Sequence, residues 1–402
     1  MLSASARPYI DASVPVLREH SLDITKVFYA NMLGAHPELK NLFNMGNQAS
    51  GVQQQSLASA LFAYAANIAN PAALAPVVTR IVHKHAAVGL TAAHYPIVAE
   101  HLLGAIKQVL GDAASDDLLS AWGEAYWLLA NLLIEEEKKL YAATATTPGA
   151  LKTLKVVRKV FESEHIASFY LQTEDGQRPG DFQPGQYISV EMQFDGGQRR
   201  QLRQYSLSDS QAAPWWRISV KREQAQDQPQ GQVSNWLHDE VEVGASIQAT
   251  PAFGDFMLAP VVSERPLLLL SAGVGITPML SMLNSVRDLA PQRQVYFAHA
   301  ARSPAWQAHS LDLQEARSRM SALEIALFYE SLEGAHGSIG GVYQGRMDVC
   351  TLWAEALLHA DIYLCGPLGF MQAQRQQLLE AGVAAERIQR EVFGPDLLDH
   401  LL

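Results

Sequence analysis

Leu267-Leu-Leu-Leu270-Ser-Ala-Gly273-Val274-Gly275-Ile276-Thr277-Pro278-Met-Leu280 decides how the second half of this 402-residue chain folds. Four consecutive leucines, between Pro266 and the Gly273 turn, read as a strand. The two glycines that follow let the backbone turn sharply and approach a ligand closely. Thr277 then serves as an N-cap and Pro278 as the first residue of a helix. The result is one β–α unit whose helix N-terminus favours a pyrophosphate. It departs from the Gly-x-Gly-x-x-Gly fingerprint, because Pro278 stands where a third glycine is expected.

Outward from this unit the pattern repeats. Short apolar runs at 295–298, 325–329 and 362–365 alternate with helical segments, which predicts an open α/β sheet over residues 260–402. Upstream, residues 148–259 hold β-type runs at 156–161, 169–171, 187–192 and 216–220, separated by Gly, Pro and Asp clusters. These predict an antiparallel β-barrel. The polar stretch 224–232 reads as a loop. Earlier still, residues 1–147 show only helical spacing, as in Ile10, Val14, Leu17 and Leu102, Ile106, Val109. Breaks at Ala35-His36-Pro37, Asn70-Pro71, Gly89-Leu90-Thr91 and Gly111-Asp112 divide them into six to eight helices. The turn-rich Thr144-Ala-Thr-Thr-Pro148-Gly149 closes this all-α domain. The fold class is therefore multidomain: all-α, then β-barrel, then α/β.

Composition agrees with packed domains: 48% of residues are hydrophobic and 18% charged, enough apolar surface to bury real cores. Thirty basic residues face 41 acidic ones, a net charge of −11. With no Lys/Arg-rich block, nucleic-acid binding is excluded as an expectation. Cys350 and Cys365 are too few for a disulfide framework or a four-thiolate metal site, and fit a reducing cytoplasm. The chain opens without a basic, apolar signal pattern. Two uncharged stretches, 56–79 and 266–286, are broken by Pro, Gly and polar residues, so no membrane span is expected. Nothing demands an oligomer, and a monomer is expected.

Further motifs accompany the glycine turn. Arg203-Gln204-Tyr205-Ser206 ends a barrel strand and puts a cation, an aromatic face and a hydroxyl within four residues. A flavin needs such groups for its pyrophosphate, its ring face and its ring nitrogens. Gly231-Gln-Val-Ser234 is a second turn able to offer N–H groups to phosphate. Cys365-Gly366-Pro367 follows one α/β strand, and Val392-Phe393-Gly394-Pro395 another. Each alone is a surface turn; their joint order is informative.

On these motifs, residues 150–402 resemble the ferredoxin–NADP reductase superfamily. The resemblance implies FAD on the barrel and NADH or NADPH on the α/β domain. Arg203 and Ser234 would neighbour the FAD phosphates. Tyr205 and Ser206 would lie by its ring, Tyr187 and Gln204 in the same site, and Val392 to Pro395, with Phe393 covering the flavin, beside it. Gly273, Val274, Gly275, Ile276, Thr277 and Pro278 would cradle the dinucleotide, with Cys365 and Gly366 near the nicotinamide.

The helical domain carries six histidines: His20, His36, His83, His85, His94 and His101. His85 shares an apolar face with Val77, Val78, Ile81 and Val88, whereas His83 lies roughly 200° round the helix, so only His85 of this pair should point inward. Such a histidine is commonly a core residue. A metal-bound imidazole, however, wants an acceptor for its other N–H. Glu137, in Ile134-Glu-Glu-Glu137-Lys-Lys-Leu140, reads locally as a solvated charge, and Tyr95 as a packed ring. Together they could supply that acceptor.

The helical domain resembles the globin domain of a bacterial flavohaemoglobin. The matching residues are Phe28-Tyr29, Pro37-Glu-Leu-Lys-Asn-Leu-Phe43-Asn-Met, Gln53, Leu57, Lys84-His85, Tyr95-Pro-Ile-Val, Glu100-His-Leu-Leu and Ala121-Trp-Gly-Glu-Ala-Tyr126. With the reductase half, the resemblance spans nearly the whole chain. It implies haem b with His85 as proximal iron ligand, supported by Tyr95 and Glu137. Tyr29, Gln53 and Leu57 would line the distal pocket, Phe43 would pack on the haem, and Lys84 and Glu391 would adjust the haem and flavin potentials. The implied activity is nitric oxide dioxygenase, making nitrate from NO and O₂. FAD would stand between the two-electron nicotinamide and the one-electron haem. Tyr29 would stabilise negative charge on bound oxygen. The linker Pro148-Gly149 and the lengthened 224–232 stretch depart from the family. Three matters stay open. The globin could be an O₂ store or sensor served by its own ferric reductase. The chain could be a flavin reductase of chelates, quinones or peroxides. And a lipid or other apolar guest could occupy the distal pocket.

Overall fold

The computed structural model describes residues 2–43, 51–67, 71–197, 199–224, 231–333 and 340–394. The chain divides into two compact units. One comprises Met1–Ala150 with Glu191–Arg203 and Gly394–Leu402, the other Leu151–Val190 with Gln204–Phe393.

In the first unit, helix α1 spans Arg7–Ala35, α2 Val52–Asn67, α3 Pro71–Val88, α4 His94–Leu110 and α5 Asp116–Ala143, with 3₁₀ turns at Pro37–Asn41 and Gly111–Ala113. The ends fall where the sequence is punctuated. Pro37 blocks continuation of α1, Pro71 opens α3, and Gly89 (φ +75°) and Gly111 (φ +55°) end α3 and α4 at positive φ. Ser115 caps α5, accepting the Leu118 N–H at 3.2 Å, with Asp116 and Asp117 in the first turn; such a cap is worth about 1 kcal/mol. Ile10, Leu17, Phe28, Met32, Leu102, Ile106 and Trp122 form the main core. Leu74, Val78, Val82, Tyr95, Ala130 and Leu133 form a second.

The expectation for α3 is met in part. His85 turns to the buried Glu137 and Tyr95, as its apolar face predicts, but His83 is buried as well, at 9% exposure. A second covered stripe runs through Leu74, Val78, Val82 and Ala86. Apolar spacing gave the period of this helix and the His85 face, but not this second stripe.

Among the described residues, twelve strands make two sheets. In the first, β1 (Lys152–Phe161), β2 (Ile166–Gln172), β3 (Tyr187–Phe194), β4 (Arg199–Ser206), β5 (Trp216–Lys221) and β6 (Ser246–Ala249) lie in the order β4-β3-β6-β1-β2-β5. The pairs β1–β2, β1–β6 and β2–β5 are antiparallel. A bridge between Leu207, just past β4, and Ile218 of β5 joins the two edges and closes the sheet towards a barrel. Helix α6 (Gln232–Asp239) follows the Gly231 turn.

The second sheet contains β7 (Leu267–Ala272), β8 (Val295–Ala301), β9 (Leu323–Tyr329), β10 (Gly341–Gln344), β11 (Asp361–Cys365) and β12 (Ile388–Glu391), ordered β10-β9-β8-β7-β11-β12. All its pairs are parallel. Helices α7 (Ile276–Leu289), α8 (Ser310–Arg319) and α9 (Leu368–Glu380) connect its strands. Leu267 to Leu270 are wholly buried, as a central parallel strand requires. The direction of strand succession reverses between β7 and β11. In open α/β sheets, ligands bind outside the carboxyl ends of the strands at such a switch point. Those ends carry Gly273 and Cys365-Gly366. The short strands β6, β10 and β12 lack the apolar runs that made the others legible. Among the described residues, no helix is long and apolar enough to cross a membrane.

Candidate functional site

In the helical unit, α3, α4 and α5 bring three polar groups together. His85 Nδ1 lies 2.8 Å from Glu137 Oε1 and 3.2 Å from Tyr95 Oη, and the Tyr95 hydroxyl donates to the same Glu137 oxygen at 2.5 Å. Glu137 is 3% exposed, so the local reading of a solvated charge fails. Glu135 and Glu136 pair instead with Lys138 and Lys139 at the surface, while Glu137, one residue on, turns into the core. A buried carboxylate accepts two donors here because leaving it unpaired would cost several kcal/mol. Burial, then the bond to Glu137, hold the Tyr95 phenol far above its ordinary pKa. The Tyr126 hydroxyl donates to the Tyr95 carbonyl at 2.7 Å and fixes the start of α4. With the carboxylate as acceptor, the imidazole proton resides on Nδ1, which leaves Nε2 as the lone-pair nitrogen. Such an arrangement suits a metal-ligating histidine.

Tyr29 is buried on α1, edge-to-face with Phe28 at 4.8 Å and with Phe43 at 5.7 Å between centroids. Gln53 and Leu57, one turn apart on α2, are half-buried, and Leu57 and Phe43 pack on the same core as Tyr29. Lys84 donates through Nζ to the Gly394 carbonyl at 2.9 Å.

On the barrel, Tyr187 opens β3, buried, and exchanges two 2.8 Å backbone bonds with Phe253. Its ring lies so close to Gly254 (φ +123°) that a Cβ there would stand 3.1 Å from it; a glycine at a strand end was the available signal for this overlooked neighbour. Along β4, Gln204 is exposed, Tyr205 half-buried and Ser206 buried. Arg203 Nη1 donates to Gln201 Oε1 at 2.9 Å and the Leu202 carbonyl at 2.8 Å. The Ser234 hydroxyl accepts the Glu223 N–H at 3.2 Å and donates to the Gly231 carbonyl at 3.0 Å. A Cβ at Gly231 would meet Ser234 Oγ at 2.5 Å and Glu223 Cβ at 2.8 Å. Only glycine fits this turn, which leaves the first N–H groups of α6 for an outside acceptor.

At the switch point, Gly273 (φ +56°) has nothing within 4 Å of where a Cβ would stand, whereas a Cβ at Gly275 would meet the Cys365 carbonyl carbon at 2.6 Å and Gly366 Cα at 2.8 Å. The two motifs are thus packed on each other, with an open face over Gly273. Such a cradle suits a dinucleotide backbone. Thr277 is not the N-cap. Gly273–Gly275 forms a 3₁₀ turn running straight into α7, with Gly275 as its cap residue and Ile276 and Pro278 in the first turn, and the Thr277 hydroxyl bonds back to the Val274 carbonyl at 3.0 Å. Cys365 is fully buried beside Ser271 and Glu391 in register. Burial, then Glu391, push its thiol pKa well up, so it is no nucleophile. Phe393 is 46% exposed, a large aromatic face open to a ligand, and Val392 packs on the sheet's core. Gly394 has φ +120°; Pro395 lies outside the described residues. Arg302 lines a cleft of about 600 Å³ with Ser303, Trp306, Glu330 and Glu333 beyond β8 and β9, and Arg317 lies on α8.

Fold and sites together define a globin joined to a flavin- and nicotinamide-dependent oxidoreductase. Family models agree: a globin over residues 26–133, an oxidoreductase FAD-binding domain over 153–257 and an oxidoreductase NAD-binding domain over 269–376. The chain is 46% identical over 401 residues to a flavohemoprotein of Bordetella parapertussis, covering 98% of this chain and 99% of that one. It is equally similar, at 46% over 98% of each chain, to a flavohemoprotein of Chromobacterium violaceum. A crystal structure of flavohemoglobin from Malassezia yamatoensis with bound FAD and haem matches 98% of this chain and all of that one (TM-score 0.86, 31% identity). The FAD/NAD-binding domain of a nitric oxide dioxygenase from Vibrio cholerae matches 61% of this chain and 99% of that one (TM-score 0.55, 37% identity). The chain belongs to the flavohemoprotein family, and its cofactors are haem, FAD and a nicotinamide dinucleotide.

Proposed function

We propose that this chain is a nitric oxide dioxygenase, using NADH or NADPH to convert NO and O₂ to nitrate. The observation that carries the reading is the buried Glu137–Tyr95–His85 cluster. An O₂ store needs a ligand that lets oxygen go. A carboxylate on the histidine Nδ1–H instead makes the imidazole a stronger donor, which favours O–O chemistry over release.

When bound, FAD turns a two-electron hydride donor into a source of single electrons, and haem supplies the iron at which O₂ and NO react. The chain's own residues do the rest. His85 would hold iron through Nε2 while Glu137 keeps the Nδ1 proton in place and Tyr95 fixes that carboxylate. Tyr29, Gln53, Leu57 and Phe43 would form the opposite wall. There the Tyr29 phenol, set against Phe28 and Phe43, would be a polar donor in largely apolar surroundings, where a hydrogen bond to developing negative charge is strongest. Lys84 and Glu391 would set the local charge near haem and flavin. Arg203, the Gly231–Ser234 turn, Tyr187, Gln204, Tyr205, Ser206 and Phe393 would bind FAD. The phosphate contact at Ser234 would run through backbone N–H groups, because its hydroxyl serves the turn. The Gly273–Pro278 turn and Cys365-Gly366 would bind the nicotinamide cofactor. Both cysteines are free thiols, which suits a reducing cytoplasm.

The deciding assay is aerobic, NADH-dependent NO loss by the purified holoprotein with nitrate formed one for one. Slow NO loss alongside reversible O₂ binding would favour the O₂ store or sensor. Rapid reduction of ferric chelates or quinones without NO loss would favour the flavin reductase.

A further inference from the structure

The nicotinamide sheet and the barrel segments Leu151–Val190 and 204–259 lie in the second unit, and a buried polar seam runs between them. Arg217 on β5, 3% exposed, forks onto Asp312 on α8, with Nη1 to Oδ2 at 3.1 Å and Nη2 to Oδ1 at 2.9 Å. Asn284 on α7 donates to Asp312 Oδ1 at 2.8 Å and to Asp209 Oδ1, in the segment after β4, at 3.2 Å. One turn before it, the Ser281 hydroxyl donates to the Asp209 carbonyl at 2.9 Å, and at the next residue Ser285 Oγ accepts the Gln211 N–H at 3.0 Å. Trp215 Nε1 donates to Asp209 Oδ2 at 2.9 Å. So α7, the helix that begins at the Gly273–Gly275 turn, is fastened through residues 281–285 to the segment that follows β4.

His309 Nδ1 lies 3.1 Å from Asp312 Oδ2 and 3.6 Å from Glu162 Oε1, and these three side chains have the spacing of a metal site. Asp312 Oδ2, however, already accepts from Arg217, and a guanidinium 3.1 Å away repels a cation. The cluster belongs to the seam. Burial alone would raise the Asp312 carboxyl, but Arg217 and His309 hold it well below the usual carboxylate range. Burial would likewise lower Arg217, and Asp312 and Asp209 hold it up. The pair therefore stays ionised.

We propose that Arg217 and Asp312 are positioning residues for hydride transfer, fixing the register of the nicotinamide-binding turn against the flavin barrel. An apolar contact of this area would hold the two together as tightly but leave their register loose. A two-point fork with shared amide and hydroxyl partners defines one arrangement. Hydride transfer needs donor and acceptor atoms about 3–3.5 Å apart, and a misplacement of about 1 Å can cost about 100-fold.

The inference rests on reading the barrel as the flavin site and the β7 turn as the nicotinamide site. The test is anaerobic single-turnover reduction of FAD by NADH in the full-length holoprotein, with [4,4-²H₂]NADH for the isotope effect. Asp312→Asn keeps the shape and removes the charge. The paired Arg217→Met/Asp312→Leu variant refills the seam with apolar side chains. Both should retain FAD and the haem spectrum, and the paired variant should melt at or above the parent temperature. Both should reduce FAD about 10-fold or more slowly, with a changed isotope effect. Hydrogen exchange in the cofactor-free protein should quicken at residues 209–211 and 273–277. A purely structural role predicts that the paired variant recovers the parent rate. That recovery, or an unchanged rate in Asp312→Asn, overturns the proposal. Should Asp312→Asn fail to fold, the paired variant decides alone. If the parent protein's FAD is not reduced by NADH at all, the reductase reading fails instead.

Discussion

Replacing Glu137 with Gln isolates the charge of the buried carboxylate. The amide has nearly the same volume, and its oxygen can still accept from His85 Nδ1–H and from the Tyr95 hydroxyl, now at 2.8 and 2.5 Å. What is lost is the ionic character of two hydrogen bonds. A bond to a charged group contributes about 1.5–3 kcal/mol and a neutral one about 0.5–1.5, so the change removes about 1 kcal/mol per bond and about 2 in all. Referred to a barrier, that is about 30-fold, within the 10–100-fold expected when the partner of a metal-bound histidine is altered. Glu137→Gln should therefore keep its haem, lower the frequency of the iron–imidazole stretch, raise the haem potential, and slow aerobic NO turnover by about 30-fold. Glu136→Gln is the control. That residue is paired with Lys139 at the surface, where such pairs contribute little, and it should leave all four quantities unchanged. Turnover within twofold of the parent, with an unmoved stretch, would refute the role given to Glu137.

Tyr29→Phe removes the phenol from the apolar wall and should speed O₂ dissociation and slow NO turnover, both by about 10-fold or more for one lost oxyanion donor, measured by laser photolysis and NO electrode. Gly275→Ala drives a methyl into the Cys365 and Gly366 backbone; it should destabilise by about 3 kcal/mol and raise the KM for NADH. Gly273→Ala meets open space and pays for its φ of +56° alone, about 1 kcal/mol, so calorimetry should separate the two. His299 is fully buried, and burial, then His309, lower its pKa from 6.5 to about 3. The unfolded chain then binds the extra proton between these values, so this residue's contribution is complete above pH 6.5 and lost as pH falls towards 3. His299→Asn should flatten the loss of stability in that window, by a few kcal/mol at about 1.4 kcal/mol per unit; parallel urea titrations of parent and variant would contradict this.

The features legible in the sequence were those encoded locally. Leu267–Leu270, the Gly273-Val274-Gly275 turn and the breaks at His36-Pro37, Gly89 and Gly111 each act through a few neighbouring dihedrals. A single chain of residues suffices to read them. The N-cap was misplaced by two residues because Thr277 and Pro278 fit the cap pattern, whereas the 3₁₀ turn that preempts them depends on Gly275 packing against Cys365, 90 residues away. The burial of His83 has a similar origin. The spacing of Val77, Val78, Ile81 and Val88 gives the helical period and the His85 face, but that a second face is also covered depends on the other helices. Glu137 is the clearest case. Nothing in Glu135-Glu136-Glu137 distinguishes the third carboxylate, and only Tyr95 and His85, 42 and 52 residues away, give it an interior partner.

The same contrast explains where this chain spends buried charge. The Glu137–Tyr95–His85 cluster and the seam at Arg217 are both assembled from distant segments, and both place polar or ionised groups where apolar ones of equal size would fold as well or better. Glycine turns and apolar strands can build a globin, a barrel and an open sheet, but they do not orient an imidazole or set two subdomains in one register to within an ångström. Each ionised group is surrounded by donors or acceptors that leave it one geometry: Glu137 by two donors on a single oxygen, Asp312 by a guanidinium, an amide and an imidazole. Electron delivery in this fold passes through steps that depend on geometry more steeply than stability does. A loss of register that barely moves the melting temperature should still show as a slowed transfer. Stability measurements alone would therefore miss both sets of residues, and rate measurements on folded variants are what identify them.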